Sequence, residues 1–365
     1  MGIGDWGLGI GDWRRPGARR DRPVRAEPLR ALSRGRFLRI RHHRHRDREP
    51  AGGRMTGGTA LIVFGAVRSG TTMFRLMLNA HPALVEIGEN RYLVDSLIDK
   101  HDLTAGYDPD RLMSDRVFRM RDLARPDRYE TRAVIDHVTA ALAEGRDGPL
   151  VLTFHADAEV VDRLFPGCRF LHIVRDPRDV AASAVRFGWA GNHYHGAEFW
   201  LEAEESWARF APSLSPDRRF EIRFEDLVGD PEGSLTQICS FIGVPYDSTM
   251  LRYAAKSTYA APDSGQREKW RRTLGDAEVR QVEERCGALM AAQGYDLFCS
   301  AIPARSKASL AWLKVDNKLR KTAARIAFFG PADYFSEKIA RLPFLRGWHM
   351  RVERRMQERV NRSLK

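Results

Sequence analysis

Cysteine is scarce in this chain: Cys168, Cys239, Cys286 and Cys299 are the four present in 365 residues, and no two stand in C-x-x-C spacing. That excludes a disulfide-built scaffold and a cysteine zinc centre, and scattered thiols suit a reducing compartment. The 11 histidines show no ligand pattern either, so no metal is expected. Long apolar runs are also missing. Nothing approaches the roughly 18 to 20 apolar residues of a membrane span, and the N-terminal stretch lacks the apolar core of a secretory signal. The expectation is a cytoplasmic protein, with any membrane association made through its surface.

What is present is enough to build a large core: 43% of the residues are hydrophobic, in a length that suits one α/β domain with additions. The net charge of +12 is placed unevenly. Residues 1–54 carry 15 Arg against 6 acids, and residues 300–365 carry 16 Lys and Arg against 5 acids, which leaves the middle of the chain acidic. Nucleic-acid binding is not what such a core suggests. The N-terminal piece has a near repeat, Gly2-Ile-Gly-Asp-Trp6 and Gly9-Ile-Gly-Asp-Trp13, followed by Arg-, Pro- and His-rich sequence with no apolar period. Residues 1–54 are therefore expected to be disordered; an arginine-rich arm for nucleic acid or anionic lipid is the rival reading, and Met55 is a second candidate start.

The densest stretch is Leu61 to Asn90. Leu61–Phe64 is a short continuous apolar run, as in a strand covered on both faces. Met73, Leu76, Met77 and Ala80 then form a helical stripe. Between them, Gly65 to Thr72 brings backbone N–H groups at a helix N-terminus, hydroxyls and the Arg68 guanidinium to one place, which makes an anion site. The glycine spacing imitates the nucleotide-hydrolase loop G-x-x-x-x-G-K-[ST], but Thr71 stands where the lysine belongs. A second strand-to-helix unit follows: Arg169–Val174 is apolar, and Arg175-Asp-Pro-Arg-Asp-Val-Ala-Ala-Ser183 opens a helix with Asp176 as cap and Pro177 in its first turn. Arg175 and Ser183 can hold one phosphate from two sides.

Arg68-Ser69-Gly70-Thr71-Thr72 and the Arg175/Ser183 pair together resemble the two phosphate motifs of sulfotransferases that use 3′-phosphoadenosine 5′-phosphosulfate (PAPS), of the bacterial, tyrosylprotein and carbohydrate type. The resemblance runs over roughly residues 59–295. It includes Arg223-Phe-Glu-Asp-Leu227, a scaffold segment in which Glu225 is expected to be structural, and Gly265-Gln-Arg-Glu-Lys-Trp270-Arg271, where Arg267, Lys269 and Arg271 are open alternatives for a contact to the 3′-phosphate. It implies that Arg68, Ser69, Gly70, Thr71 and Thr72 bind the 5′-phosphosulfate, that Arg175 and Ser183 bind the 3′-phosphate, and that 3′,5′-bisphosphoadenosine is the product. A general base is needed to take the acceptor's proton. Gly88-Glu89 matches one base position of the family, with Glu86 open if the loop slips; His155, closing the strand-like Leu150–Phe154, matches another, although the lysine usual there is absent.

The expected fold is a three-layer, P-loop-like α/β domain over 55–299 with a central parallel sheet, strands near 60–65, 150–154, 169–174 and 219–223, and a cofactor across their carboxyl ends. Helices in 90–145 and 189–212, with Tyr92, Tyr107, His193, Tyr194, His195, Trp200 and Trp207, are expected to shape a pocket for a sugar, glycolipid or small-metabolite hydroxyl. Residues 300–365 form a basic extension in which Leu310, Leu313, Leu319, Ile326, Phe328, Phe329, Tyr334, Phe335, Ile339, Leu342, Phe344, Leu345 and Trp348 recur at helical spacing, broken at Gly330-Pro331 and Pro343. Packing on the core, a homodimer and contact with an anionic membrane are its open roles. The rival functions are an ATP–Mg²⁺ kinase or hydrolase and a non-catalytic peripheral membrane protein.

Overall fold

The computed structural model describes residues 60–257, 259–299 and 305–340, together with Trp348, Arg351, Val352, Arg355 and Met356. The expectations for residues 1–54, and for Leu342, Phe344 and Leu345, lie outside the described residues. Five parallel strands, β1 (Leu61–Phe64), β2 (Val85–Glu89), β3 (Leu150–Phe154), β4 (Arg169–Val174) and β5 (Arg219–Arg223), form one sheet in the order β2-β3-β1-β4-β5. Four stand where the sequence pattern puts them. The fifth, β2, was not anticipated: it lies at the sheet edge, and its register with β3 shifts between Glu86 and Glu89, around Gly88. Such an interruption hides the alternation that marks a strand.

The helices that position the site are α1 (Thr71–Asn79), α2 (Thr131–Ala143), α3 (Ala158–Leu164), α4 (Pro177–Arg186), α5 (Glu198–Phe210), α6 (Pro231–Ile242) and α7 (Asp276–Ala292), followed by α8 (Lys307–Phe329) and α9 (Pro331–Ala340). Side chains alternate across the pleat, so each strand feeds two cores. Ile62, Phe64, Leu152, Phe154 and Phe170 pack with α2, α3 and α5. Leu61, Val63, Val151, Leu171 and Ile173 pack with α1 and α6. These are the three layers of an α/β domain. The stripe expected on α1 is rotated: Phe74, Met77 and Leu78 are buried, whereas Met73 and Leu76 are only partly so. A third cluster, with Val180, Trp200, Val282 and Met290, welds α4, α5 and α7 together beside the carboxyl end of β4. The break at Gly330-Pro331 separates α8 from α9 as expected. All four cysteines are free thiols.

Within the first core, His172 of β4 is almost wholly buried and stacks on Trp207 at 4.5 Å. Burial alone would push its pKa down, but the carboxylates of Glu204, at 3.2 Å, and Glu221, at 3.6 Å, outweigh this and raise it to about 9. A raised folded pKa gives stability that is complete below the unfolded value of about 6.5 and is lost as pH climbs towards the folded value. The unfolding free energy of the parent minus that of His172→Gln should therefore shrink by on the order of 2 kcal/mol between pH 6.5 and 9 in denaturant titrations; a constant difference would mean that His172 is neutral in the fold.

Candidate active site

The chain crosses from one side of β1 to the other between β3 and β4, so the carboxyl ends of these three strands border the sheet's switch point, where open α/β sheets bind ligands. The turn after β1 is tightly constrained. A Cβ on Gly65 would come within 2.3 Å of the Ile173 carbonyl oxygen, and one on Gly70 within 2.4 Å of the Phe224 ring. Gly70 is the cap of α1 with φ 89°, and Arg68 also adopts a left-handed φ of 72°, a cost a non-glycine residue bears only where surroundings enforce it. The first amides of α1 have no intrahelical acceptor and open onto this turn. The Ser69 hydroxyl is buried beneath it without a hydrogen-bond partner.

Arg68 does not project alone. Its Nε donates to Ser183 Oγ at 3.0 Å, and its guanidinium lies over Phe187 at 4.2 Å and Trp189 at 5.4 Å. The turn after β1 and helix α4 thus meet in space, through residues 115 apart in sequence. Asp176 caps α4 through the Arg178 amide, with Pro177 in the first turn, as the sequence indicates. Arg175 lies 4.0 Å over the Phe224 ring, donates to the Arg68 carbonyl and the Gln266 carbonyl at 3.4 Å, and stands 3.6 Å from Asp179. Its Nε and Asp179 Oδ2 are buried without hydrogen-bond partners. Asp179 also accepts the Trp270 N–H at 2.7 Å, which docks the late basic segment against α4. In that segment Lys269 is half-buried, while Arg271 is exposed, pairs with Glu268 at 2.9 Å and stacks on Trp270.

The two base candidates stand together rather than apart. His155 Nδ1 donates to the Gly65 carbonyl at 2.8 Å, which places the ring's other nitrogen, Nε2, 3.9 Å from Glu89 Oε1. Glu86 points elsewhere: it accepts the Gly88 N–H and pairs with Arg75 at 3.5 Å, and burial raises its pKa. Glu225 accepts the Asp176 N–H, and burial lifts its pKa to about 7, in keeping with a structural role.

The pocket expectation needs correction. Tyr92, Tyr107, Trp200 and Trp207 are core residues, the first three bonded to Asn90, the Leu93 carbonyl and the Arg175 carbonyl. His193 is buried too, leaving Tyr194 and His195 half-exposed. The aromatics that do flank Arg68 are Phe187 and Trp189, with Phe199 edge-on to Trp189 at 5.9 Å. Sequence reading passed over them although they follow Ser183 directly. It also passed over Arg121, which donates to the Ile87 and Glu89 carbonyls and clasps the Gly88 bulge, and Phe224, the ring shared by Gly70 and Arg175; no spacing signals either.

A sulfotransferase family model matches residues 60–248. Among curated proteins the chain is similar to the omega-hydroxy-beta-dihydromenaquinone-9 sulfotransferase Stf3 of Mycobacterium tuberculosis, 26% identical over 155 residues and 38% of each chain. It is 25% identical over 201 residues to the protein-tyrosine sulfotransferase of Drosophila melanogaster, covering 53% of this chain and 40% of that protein. Carbohydrate sulfotransferase 5 of Mus musculus is 26% identical over 163 residues, 35% of this chain and 41% of that one. The chain spans about two fifths of the length of these relatives. With more than half of the sequence matched, and with the turn after β1 and the Arg175/Ser183 pair meeting at the sheet's switch point, the chain belongs to the sulfotransferase family.

Proposed function

We propose that this protein moves a sulfuryl group from PAPS to the hydroxyl of a sugar, glycolipid or small metabolite and releases 3′,5′-bisphosphoadenosine. The observation that carries the reading is the contact between Arg68 Nε and Ser183 Oγ, which joins two anion-binding ends into one site of the kind a bisphosphorylated nucleotide needs. The residues present fit that group. The glycine cradle at Gly65 and Gly70 admits no side chain, and the buried, unpartnered Ser69 Oγ and Arg175 Nε are donors awaiting an acceptor. Ser69, Gly70, Thr71 and Thr72 would hold the 5′-phosphosulfate through α1's first amides and their hydroxyls. Arg175 and Ser183 would hold the 3′-phosphate, with Lys269 the half-buried cation beside them and Arg271 nearer the rim. When bound, PAPS supplies an activated sulfuryl group on a phosphate leaving group. Arg68 would meet the charge that grows there.

Glu89 is proposed as the general base. Its carboxylate stands 3.9 Å from His155 Nε2, so an acceptor hydroxyl between them can lose its proton to the carboxylate while the ring, held by Gly65, fixes the approach. The relatives are named for hydroxylated menaquinone, protein-tyrosine and carbohydrate; here Phe187, Trp189 and Phe199 form an apolar wall beside Arg68 that suits an acceptor with an apolar or ring portion. The kinase alternative is disfavoured by Thr71 in place of the loop lysine. A cytoplasmic location is inferred from the four free thiols.

The reading is tested by incubating the protein with sulfur-labelled PAPS and a cell extract: label should enter an organic acceptor, and label found only as inorganic sulfate would contradict it. Arg68→Ala should lower turnover about 10² to 10³-fold, as loss of one preorganised donor does, and should also weaken the cofactor because Ser183 loses its partner. Arg175→Ala should raise the KM for PAPS and remove discrimination against the 3′-dephospho analogue, with a smaller change in kcat. Glu89→Gln should bind 3′,5′-bisphosphoadenosine like the parent, lose most of its turnover and flatten the acid limb of kcat/KM against pH, whereas His155→Ala retains more activity. The opposite ranking would give the proton to His155.

A further inference from the structure

The C-terminal helix α8 is seated on the protein by one side only. Leu313 is buried, its carbonyl accepts from Asn192 Nδ2 at 2.9 Å, and the same amide reaches Asp316 Oδ2 at 2.9 Å. Asn317 Oδ1 accepts the Gly191 N–H at 2.6 Å, and a Cβ on Gly188 would touch Ala324 at 3.4 Å. The helix therefore lies on the loop 187–192 that carries Phe187 and Trp189. Its other side presents Trp312, 64% exposed, Val315, 49%, and Leu319, 60%, at the i, i+3, i+7 spacing of one face. Phe335 and Ile339 of α9 are exposed as well, at 55% and 51%. Beside the apolar stripe runs a basic one. Lys307, Lys314, Lys318, Lys321 and Arg325 fall 7, 4, 3 and 4 residues apart, again on one side of a 3.6-residue helix, the first three exposed and the last two half-buried. The one acid of α8, Asp316, is engaged by Asn192 and by Arg320 at 2.7 Å.

We propose that this face of α8 docks on an anionic lipid surface. Tryptophan and aliphatic side chains flanked by lysines are the pattern of a helix lying in the membrane interface, its apolar stripe among the acyl boundary and its cations at the headgroups. Charge selects this occupant over a second copy of the chain, because a symmetric pairing would set the exposed Lys307, Lys314 and Lys318 of one copy against those of the other. The helix would then lie between the bilayer and the loop 187–192 on which it is seated, and the docking does not rest on the proposed function.

The test is sedimentation of the full chain with vesicles of phosphatidylcholine alone and of phosphatidylcholine mixed with phosphatidylglycerol. Binding is expected to the anionic vesicles at low salt, fading as salt is added. Trp312→Glu with Leu319→Glu, and separately Lys314→Glu with Lys318→Glu, should each weaken it by about tenfold or more. Both pairs are solvent-facing, and unchanged far-ultraviolet circular dichroism and unchanged 3′,5′-bisphosphoadenosine affinity would show that they fold. A parent that binds vesicles but not the nucleotide would leave the docking standing and remove the sulfotransferase reading. Failure to sediment at low salt, equal binding to neutral vesicles, or binding that both double variants retain would overturn the proposal. So would a lipid-free dimer in sedimentation velocity that the Trp312/Leu319 variant abolishes, which would assign the face to a second copy.

Discussion

The close approach of the Gly65 backbone to β4 is the constraint on which the rest of the site depends. A Cβ there would lie 2.3 Å from the Ile173 carbonyl oxygen, so the chain leaves β1 pressed against its neighbour. That position lets the Gly65 carbonyl accept from His155 Nδ1, directly after the other neighbouring strand, β3. One backbone residue thereby ties β3, β1 and β4 at their carboxyl ends, and the turn that follows has little room to move. Arg68 then reaches across to Ser183, with its backbone in the left-handed region. Strain of that kind, of order 1 to 3 kcal/mol, persists only when packing over-determines the conformation; Phe224, wedged against Gly70 and under Arg175, supplies that packing.

The electrostatics follow from the same geometry. Cations and helix amides collect where the strands end, and the buried carboxylates near them are each engaged in holding something. Asp176 holds Arg178 and the start of α4, Asp179 holds the Trp270 segment, and Glu225 holds the Asp176 amide. Glu89 has its carboxylate 3.9 Å from His155 Nε2. Arg121 grips the backbone there, donating to the Ile87 and Glu89 carbonyls, and so holds the strand that carries the side chain.

Much of this was legible in the sequence because it is local. Strands β3 and β4 follow apolar-rich runs residue for residue, β5 stands at the expected 219–223 where Phe220 and Ile222 alternate with charged residues, and Asp176-Pro177 marks the start of α4 as capping chemistry requires. The turn after β1 is local too. What escaped was set by tertiary contact. The strand β2 is broken at Gly88 and held by an arginine 33 residues further on, and no periodicity records that. Tyr92, Tyr107, Trp200 and Trp207 are aromatic residues in a suggestive stretch, yet their polar atoms are satisfied by, or their rings packed in, the core. Glu89 and His155 looked like rivals because spacing cannot show that strands β2 and β3 are neighbours; their pairing makes them one arrangement.

The central claim is that the ends of β1 and β4 form a single site for a nucleotide phosphorylated at both its 3′ and 5′ positions. Calorimetric titration of the unmodified chain with 3′,5′-bisphosphoadenosine, with adenosine 5′-monophosphate and with ATP–Mg²⁺ tests it directly. The account predicts that the bisphosphate binds at least about a hundredfold tighter than the monophosphate, since a charge-assisted contact to a phosphate contributes on the order of 1.5 to 3 kcal/mol and both Arg175 and Ser183 address the added group. Equal affinity for the two, or tightest binding of ATP–Mg²⁺, would contradict it.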